Sequence, residues 1–134
     1  MKILATLLAV CIVTGCAQVH PQSDSPKYVH VVVMWLKNPG DETDRRKIID
    51  TARTFVGKIP GLVRVESGVV QASTRPVVDS TYDVGLVMIF ESGEALANYP
   101  KHPVHQKAVA EVITPLVDHF KVYDFADSGS NEKR

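Results

Sequence analysis

Four short stretches of the chain are rich in apolar residues. The first covers residues 28–37, is rich in β-branched residues, and stops at the turn sequence Asn-Pro-Gly of residues 38–40. The other three stretches cover residues 62–72, 81–91 and 119–126. This pattern predicts four β-strands. The first and third are apolar on both faces, so both of their faces are expected to be covered.

Two helical regions are predicted between these strands. Asp41 can cap the first helix, in which apolar residues recur at helical spacing: Ile48, Ile49, Ala52, Phe55, Val56 and Ile59. Pro60-Gly61 is expected to end it. The second region begins with a short helix over residues 94–99. After Pro103 it continues as a helix with one inward stripe, His105, Val109, Val112 and Leu116. Pro115 is expected to bend or end this helix.

The predicted order is β-α-β-β-α-β, which is the order of the ferredoxin-like unit. The expected fold is therefore α+β, a four-stranded antiparallel sheet with helices on one face. The other face would be bare, although two of its strands are apolar there. Such a patch is unusual on a soluble monomer, and a second copy related by two-fold symmetry is its simplest cover. We therefore expect a homodimer whose sheets pack face to face into a dimeric α/β barrel.

The first sixteen residues have a different character. Lys2 supplies a positive charge, and residues 3–13 form an uncharged, mostly apolar run. That length is typical of a signal-peptide core of about 7–15 residues and is shorter than the roughly 20 residues that span a bilayer. Val13-Thr14-Gly15-Cys16 resembles the lipobox of bacterial lipoproteins. The resemblance implies cleavage before Cys16, diacylglycerol on its sulfur and acylation of the new amino terminus. The alternative is an ordinary secretory signal peptide.

These expectations divide the chain into four parts. They are a lipoprotein signal peptide (residues 1–15), a lipidated flexible tether (16–27), a barrel domain (28–126) and a disordered tail (127–134). Cys11 would be removed and Cys16 lipidated, so no disulfide is expected even in an oxidising compartment. In bacterial lipoproteins, an aspartate directly after the lipidated cysteine favours retention in the inner membrane. This chain has Ala17 at that position and so resembles an outer-membrane lipoprotein. The expected location is the cell envelope, on the outer membrane facing the periplasm in a two-membrane bacterium.

Charge and motifs exclude several classes of function. The chain has 15 Lys and Arg residues against 15 Asp and Glu residues, and no basic run lies inside the domain, so nucleic-acid binding has no support. No nucleophile motif, phosphate-binding loop or dinucleotide fingerprint is present. His102 and His105 have a spacing that can hold a metal, but Pro103 lies between them and no third ligand is apparent. We expect neither a metal nor a cofactor, and interpret His102 as a cap of the turn.

Several strings of residues make a family resemblance specific. They are His30-Val31-Val32-Val33-Met34-Trp35-Leu36-Lys37, Ile59-Pro60-Gly61-Leu62, Phe90-Glu91-Ser92 followed by Tyr99 and His102-Pro103-Val104-His105, and Val122-Tyr123-Asp124-Phe125. Over residues 28–125 the chain resembles the stress-responsive A/B barrel (Dabb) family of dimeric α+β barrels. That family includes plant stress-responsive proteins, a plant polyketide cyclase and many uncharacterised bacterial proteins.

The resemblance also implies candidate site residues. In the cyclase, a pocket between the sheet and the helices holds a histidine base, a tyrosine just upstream and a histidine on the first strand. The matching positions are His105, Tyr99 and His30. A further pocket tyrosine of the cyclase is replaced by Ala52, which disfavours the same substrate. Each candidate also has a purely structural interpretation, as a satisfied core histidine or as a packing aromatic.

Two main functional hypotheses follow, with a third beside them. In the first, a lipid-tethered dimer binds a small hydrophobic or aromatic molecule, or serves envelope stress without turnover. In the second, the protein is a cofactor-free cyclase or lyase with His105 as base and Tyr99 and His30 assisting. The third is a monooxygenase-like oxidation of an electron-rich ring, borrowed from related barrels. An open apolar cavity that reaches His105 would keep all three, whereas a filled interior would exclude the enzymes.

Overall fold

Strand β1 (Tyr28–Leu36) lies inside a four-stranded antiparallel sheet and pairs with a neighbour on each side. The computed structural model describes residues 27–128. The sheet order is β2-β3-β1-β4, and the other strands are β2 (Leu62–Val69), β3 (Val84–Phe90) and β4 (Val117–Ala126). With two helical regions on one side of this sheet, the chain has the predicted ferredoxin-like fold.

The register of the sheet decides which side chains share a face. Val31 lies opposite Val87 on one side and Tyr123 on the other. Even-numbered residues of β1 face the helices, where Val32 and Met34 join the core. The surface away from the helices is called the open face: Val29, Val31, Val33, Trp35, Arg64, Glu66, Gly68, Gly85, Val87, Ile89, His119, Lys121, Tyr123 and Phe125.

The helical layer begins at well-formed caps. Asp41 accepts a hydrogen bond from the Asp44 amide (2.9 Å) at the start of α1 (Glu42–Arg53), as predicted. Ser92 caps α2 (Gly93–Asn98) in the same way, and a 3₁₀ turn (Tyr99–Lys101) follows. His102 accepts from the Val104 amide at the start of α3 (Pro103–Ala108), so its interpretation as a cap is confirmed. A π-helical segment (Val109–Ile113) and α4 (Thr114–Leu116) complete the layer.

The first helix ends six residues earlier than the hydrophobic spacing predicts. The amides of Thr54 and Phe55 bond to carbonyls three residues back, which tightens the chain after α1. Gly57 then adopts a positive φ of 77°, a conformation that ends helices. Phe55 and Ile59 are nevertheless buried in the core. The periodic pattern therefore identified buried positions correctly, but it did not identify the end of the helix.

The strand ends also differ from the predicted ones. β2 stops at Val69 instead of residue 72, β3 begins at Val84 instead of residue 81, and β4 begins at Val117 instead of residue 119. The register shifts between Leu62 and Arg64, and Val63, which lies at this irregularity, is half-exposed.

The core lies between the sheet and the helices. Its fully buried side chains include Phe90, Ile48, Met88 and Val84, and burying each such side chain contributes about 1.5–3 kcal/mol. Within residues 27–128, no helix has the length and apolar character required to cross a bilayer. The predicted signal peptide, most of the predicted tether and residues 129–134 of the predicted tail lie outside the described residues.

Asp83 is a buried carboxylate that joins three parts of the chain. Just before β3 and only 3% exposed, it accepts from the amides of Leu36 (2.9 Å) and Gly40 (2.7 Å) and from the Arg45 guanidinium (2.6 Å). Burial by itself raises the pKa of Asp83. The two amides and Arg45 outweigh burial and hold the pKa below its usual value. Asp83 thereby fixes the loop between β1 and α1 against the start of β3.

Replacing Asp83 with alanine should destabilise the fold strongly, since the variant leaves the Arg45 guanidinium and two amides without their acceptor. We expect Asp83→Ala to lower the free energy of unfolding by about 3–5 kcal/mol, as measured by urea denaturation at pH 7. The native pKa lies below the unfolded value of about 3.9, so this stabilisation is present above that pH and is lost as the pH falls through the native pKa.

Asp50→Ala provides the matched control. Asp50 is an exposed carboxylate 3.9 Å from Arg53 on the surface of α1. Its removal should change the free energy of unfolding by less than about 1 kcal/mol. An equal loss of stability in the two variants would contradict the role assigned to Asp83.

Candidate functional site

A cavity of about 200 Å³ lies between the helical layer and the sheet. It is partly open to solvent, and apolar side chains form most of its wall. Its lining residues are His30, Val32, Met34, Ile48, Thr51, Ala52, Phe55, Leu86, Met88, Tyr99, Pro100, His105, Ala108, Val109, Ile113, Phe120 and Val122. Typical ligand pockets measure roughly 300–1,000 Å³. The cavity therefore suits a small molecule, such as a compound with one ring.

The fold places all three sequence-predicted pocket residues at this cavity. His30 comes from β1, Tyr99 from the 3₁₀ turn after α2, and His105 from α3. The ring centroids of Tyr99 and His105 are 4.2 Å apart, and those of Tyr99 and His30 are 5.5 Å apart. The fourth predicted site residue, Cys16, lies outside the described residues.

His105 offers an unused nitrogen in this setting. Its Nδ1 atom is buried and has no hydrogen-bond partner among residues 27–128, which is uncommon for a buried polar atom. Burial lowers the pKa of His105, and the charge on His30 acts in the same direction. The Pro100 carbonyl opposes them without reversing the shift. At neutral pH the imidazole is therefore neutral, and one of its ring nitrogens carries a lone pair.

Tyr99 has the opposite character, because it keeps its proton. The residue is 4% exposed and packs against Phe90 and Phe55, with ring centroids 5.2 Å and 6.2 Å away. Burial raises the pKa of the Tyr99 phenol far above the physiological range. Tyr99 can therefore donate a hydrogen bond to a ligand, but it is not available as a base.

A carboxylate that sequence reasoning missed completes the site. Asp124 on β4 lies directly opposite His30 on β1, and its Oδ1 is 2.6 Å from the Nδ1 of His30. Because a carboxylate only accepts hydrogen bonds, Nδ1 must carry the donated proton, which leaves Nε2 for a ligand. The available signal was one acidic residue, Asp124, between the aromatic residues Tyr123 and Phe125. Only the register between β1 and β4 shows which histidine it meets.

Small side chains create the space of the cavity. Ala52 on α1 and Ala108 on α3 both line it, and both are buried. Ala52 stands where the family resemblance implied a tyrosine in the plant cyclase. A methyl group at this position leaves room that an aromatic ring would fill, so the ligand here should differ in shape from the cyclase substrate.

The arrangement is an apolar chamber with a few polar groups on its wall. It can hold a flat apolar molecule and place its polar substituent between the donor of Tyr99 and the nitrogens of the two histidines. These wall groups can donate and accept protons as well as hydrogen bonds. Within residues 27–128, no group of three or more His, Cys, Asp or Glu side chains is arranged to hold a metal ion.

Comparison with known families gives one match. The family model of the stress responsive A/B barrel domain matches residues 29–127, nearly the whole of the described chain. A search of curated proteins gave no match.

Solved structures with the same fold come from bacteria and plants. A Dabb family protein of Mesorhizobium loti is 27% identical, with a TM-score of 0.62, and the alignment covers 78% of this chain and 99% of that one. A dimeric ferredoxin-like protein of unknown function from Thermobifida fusca is 18% identical (TM-score 0.62; 80% and 96% covered). The hydroxynitrile lyase of Passiflora edulis is 16% identical (TM-score 0.62; 82% and 98% covered). The last two similarities concern the fold alone.

The pair of His30 and Asp124 can be tested by its effect on a tautomer. We expect His30 to carry its proton on Nδ1 in the wild-type protein and to lose this preference in Asp124→Ala, as seen in long-range ¹H–¹⁵N spectra of the imidazoles. Asp118→Ala is the control, since Asp118 bonds to exposed His119 (2.7 Å) and should alter only that ring. A wild-type His30 protonated on Nε2 would contradict this geometry.

Proposed function

This chain belongs to the stress-responsive A/B barrel family, and we propose that it is a lipid-anchored, homodimeric envelope protein that binds a small apolar or aromatic molecule. The observation that carries the proposal is the cavity between sheet and helices. Its wall is mostly apolar, and its polar side chains, chiefly those of His30, Tyr99 and His105, can orient one polar substituent of a ligand.

The size and lining of the cavity favour binding of a small ring compound. A volume of about 200 Å³ excludes long acyl chains and large polycyclic molecules from full burial. The buried Nδ1 of His105 gains a partner when a ligand hydroxyl or carbonyl group enters, and satisfying such an atom stabilises the complex by about 1–3 kcal/mol. Binding thus removes an unfavourable feature of the empty protein.

The open face supports the homodimer. Apolar residues form its centre, Val31, Val33, Val87 and Ile89 among them, and the helices of the chain lie on the opposite side of the sheet. Large uncovered apolar patches mark association sites. The relative from Thermobifida fusca is a dimer with the same fold. A face-to-face pair of sheets would bury this surface as a barrel.

The envelope location rests on the sequence of the first sixteen residues. A lipid on Cys16 lies about eleven residues before Lys27, where the described chain begins. An extended segment of that length reaches roughly 35 Å. The tether therefore gives the domain room to stand clear of the lipid headgroups, and a dimer would carry two anchors, which makes its attachment to the membrane stable.

A second candidate function is cofactor-free proton transfer, and the unpartnered nitrogen of His105 favours it. A neutral imidazole can take a proton from a carbon beside a carbonyl group, and a buried phenol such as that of Tyr99 can donate to the oxygen on which charge develops. The His30 ring, held by Asp124, would orient the substrate. Condensation that closes a ring can begin with such a step, and lyase cleavage can begin with transfer of a hydroxyl proton to the same base. Oxidation of an electron-rich ring would in addition require molecular oxygen as the oxidant.

Binding can be tested with 4-hydroxybenzaldehyde, a one-ring probe that carries both a hydroxyl and a carbonyl group. We expect the full chain to bind it and the variant Ala52→Leu, which fills part of the cavity, to bind at least tenfold more weakly by calorimetry. Val56→Leu is the control, because Val56 lies half-exposed near the end of the same helix. Equal affinity in all three proteins would place the probe elsewhere.

Native mass spectrometry of the purified protein reports any retained cellular ligand and the dimer mass.

Replacing His105 separates the two candidate functions. For a binding protein, His105→Ala should weaken binding of the probe or of a retained ligand several-fold. Neither the wild-type protein nor the variant should convert the bound compound into a product. For an enzyme, the same change should abolish conversion of the substrate, while the variant still binds it. Consumption that continues unchanged in His105→Ala would exclude His105 as the base.

The anchor predicts a simple change of fractionation. In the native host, Cys16→Ser should abolish labelling by radioactive palmitate and move the protein from the membrane fraction to the soluble fraction. Cys11→Ser is the control and should change neither result, because Cys11 lies in the removed peptide. Palmitate labelling that survives in Cys16→Ser would show that the lipobox interpretation is wrong.

A further inference from the structure

Strand β4 exposes large apolar side chains on both of its sides. On the open face, Tyr123 and Phe125 are 55% and 53% exposed. On the helix side, Phe120 and Val122 are 54% and 41% exposed. The burial of this strand contrasts with that of β1 and β3, which are covered on the helix side. A partner that packed only on the open face would leave Phe120 and Val122 in water.

β4 is also an unpaired edge. It hydrogen-bonds to β1, and within residues 27–128 no strand lies along its other side. It is ten residues long, contains no proline, and its register with β1 shifts only near its first residues. Exposed edge strands are templates for pairing with another chain, and proteins protect them with charged side chains, prolines, bulges or short strands. β4 carries the charged residues Asp118, Lys121 and Asp124, but large apolar side chains are exposed between them.

The same strand borders the opening of the cavity. Phe120 and Val122 line the cavity and are at the same time among the exposed apolar residues. Of the residues that line the cavity, Phe120, Val122 and Pro100 are the exposed ones, so the cavity opens to solvent beside them. In the single chain this mouth has an apolar rim and no cover.

We propose that a second copy of this chain wraps around the β4 edge and closes the mouth of the cavity at Phe120 and Val122. This inference rests on the homodimer of the proposed function and goes beyond it. The partner not only covers the open face but also completes the ligand site. Each cavity would then be a feature of the dimer.

Continuity of the surface favours a second copy as the occupant. Tyr123 and Phe125 lie opposite Val31 and Val29, so the apolar side of β4 continues the open face without a break. A second copy that covers the open face therefore reaches the outer edge of β4 along the same apolar surface.

Closing the cavity by dimerisation has a consequence for ligand exchange. A bound molecule would be sealed by the partner and released slowly while the dimer persists. Dissociation of the dimer would open both cavities at once. Ligand affinity and dimer stability are then linked, because each binding event favours the other.

The first test measures the dimer dissociation constant of Phe120→Asp by sedimentation of the full chain over a range of concentrations. Phe120 is on the helix side of the sheet, so a charge there disturbs the dimer only if the partner reaches around the edge. We expect dissociation to become at least tenfold easier. The control Val56→Asp places the same charge on another half-exposed residue and should change the constant less than twofold. An unchanged constant in Phe120→Asp would overturn the proposal.

The second test uses hydroxyl-radical footprinting, which reads side-chain accessibility without new labels. In the wild-type protein Phe120 should be protected together with Tyr123 and Phe125. In Val31→Glu, which places a charge in the middle of the open face, all three should be oxidised several-fold faster. Dilution of the wild-type protein below its dissociation constant should give the same result if that variant fails to fold. A dimer in which Tyr123 and Phe125 are protected but Phe120 is not would contradict wrapping.

Binding of 4-hydroxybenzaldehyde separates this inference from the proposed function. If the wild-type dimer binds the probe and monomeric Val31→Glu binds at least tenfold more weakly, the partner completes the site. If the folded monomer binds equally well, the inference fails and the binding function stands. If the wild-type chain is monomeric at every concentration and its β4 side chains become protected only on phosphatidylethanolamine–phosphatidylglycerol vesicles, the edge contacts a membrane and the inference fails.

Discussion

Apolar side chains project from both faces of the central strand β1, and the chain's own helices can cover only one of them. On the helix side, Val32 and Met34 enter the core. On the other side, Val31 and Val33 form the middle of a surface that this chain leaves open. Removal of apolar area from water is the main favourable term in folding and association. The helices therefore pack on one face of β1, and a partner is expected to pack on the other. The cavity, the β4 edge and the proposed dimer all depend on how these two faces are covered.

The helices do not fill all of the space above their side of the sheet, and the remaining space is the candidate site. Two alanines, Ala52 and Ala108, face the cavity where larger residues would fill it. The second helical region is broken by prolines at 100, 103 and 115 and by the π-helical segment Val109–Ile113, so it cannot pack as one straight rod. Irregular helices are common where a fold makes room for a ligand. Here they place Tyr99 and His105 beside each other above the sheet.

Within the site, similar groups acquire different properties from their surroundings. His30 is held by the carboxylate of Asp124, which fixes its tautomer, whereas His105 is buried with a free nitrogen and a lowered pKa. Tyr99 keeps its proton because its phenolate could not be solvated. One oriented ring, one neutral acceptor and one donor are suited to holding a polar substituent, and they are also the groups that proton transfer requires. The wall around them decides what molecule can reach them.

The sequence alone determined the order of elements, the ferredoxin-like fold, the helix caps and the positions that enter the core, because these follow from local hydrogen bonding and from the period of apolar residues. It also pointed to His30, Tyr99 and His105 through resemblance to a family. It could not give the end of α1, where Gly57 turns the chain, nor the exposed position of Val63, where the register shifts. Nor could it pair Asp124 with His30 or place Phe120 at the rim of a cavity. Those facts belong to the tertiary structure, because strand register and cavity walls are set by contacts between residues that are far apart in the chain.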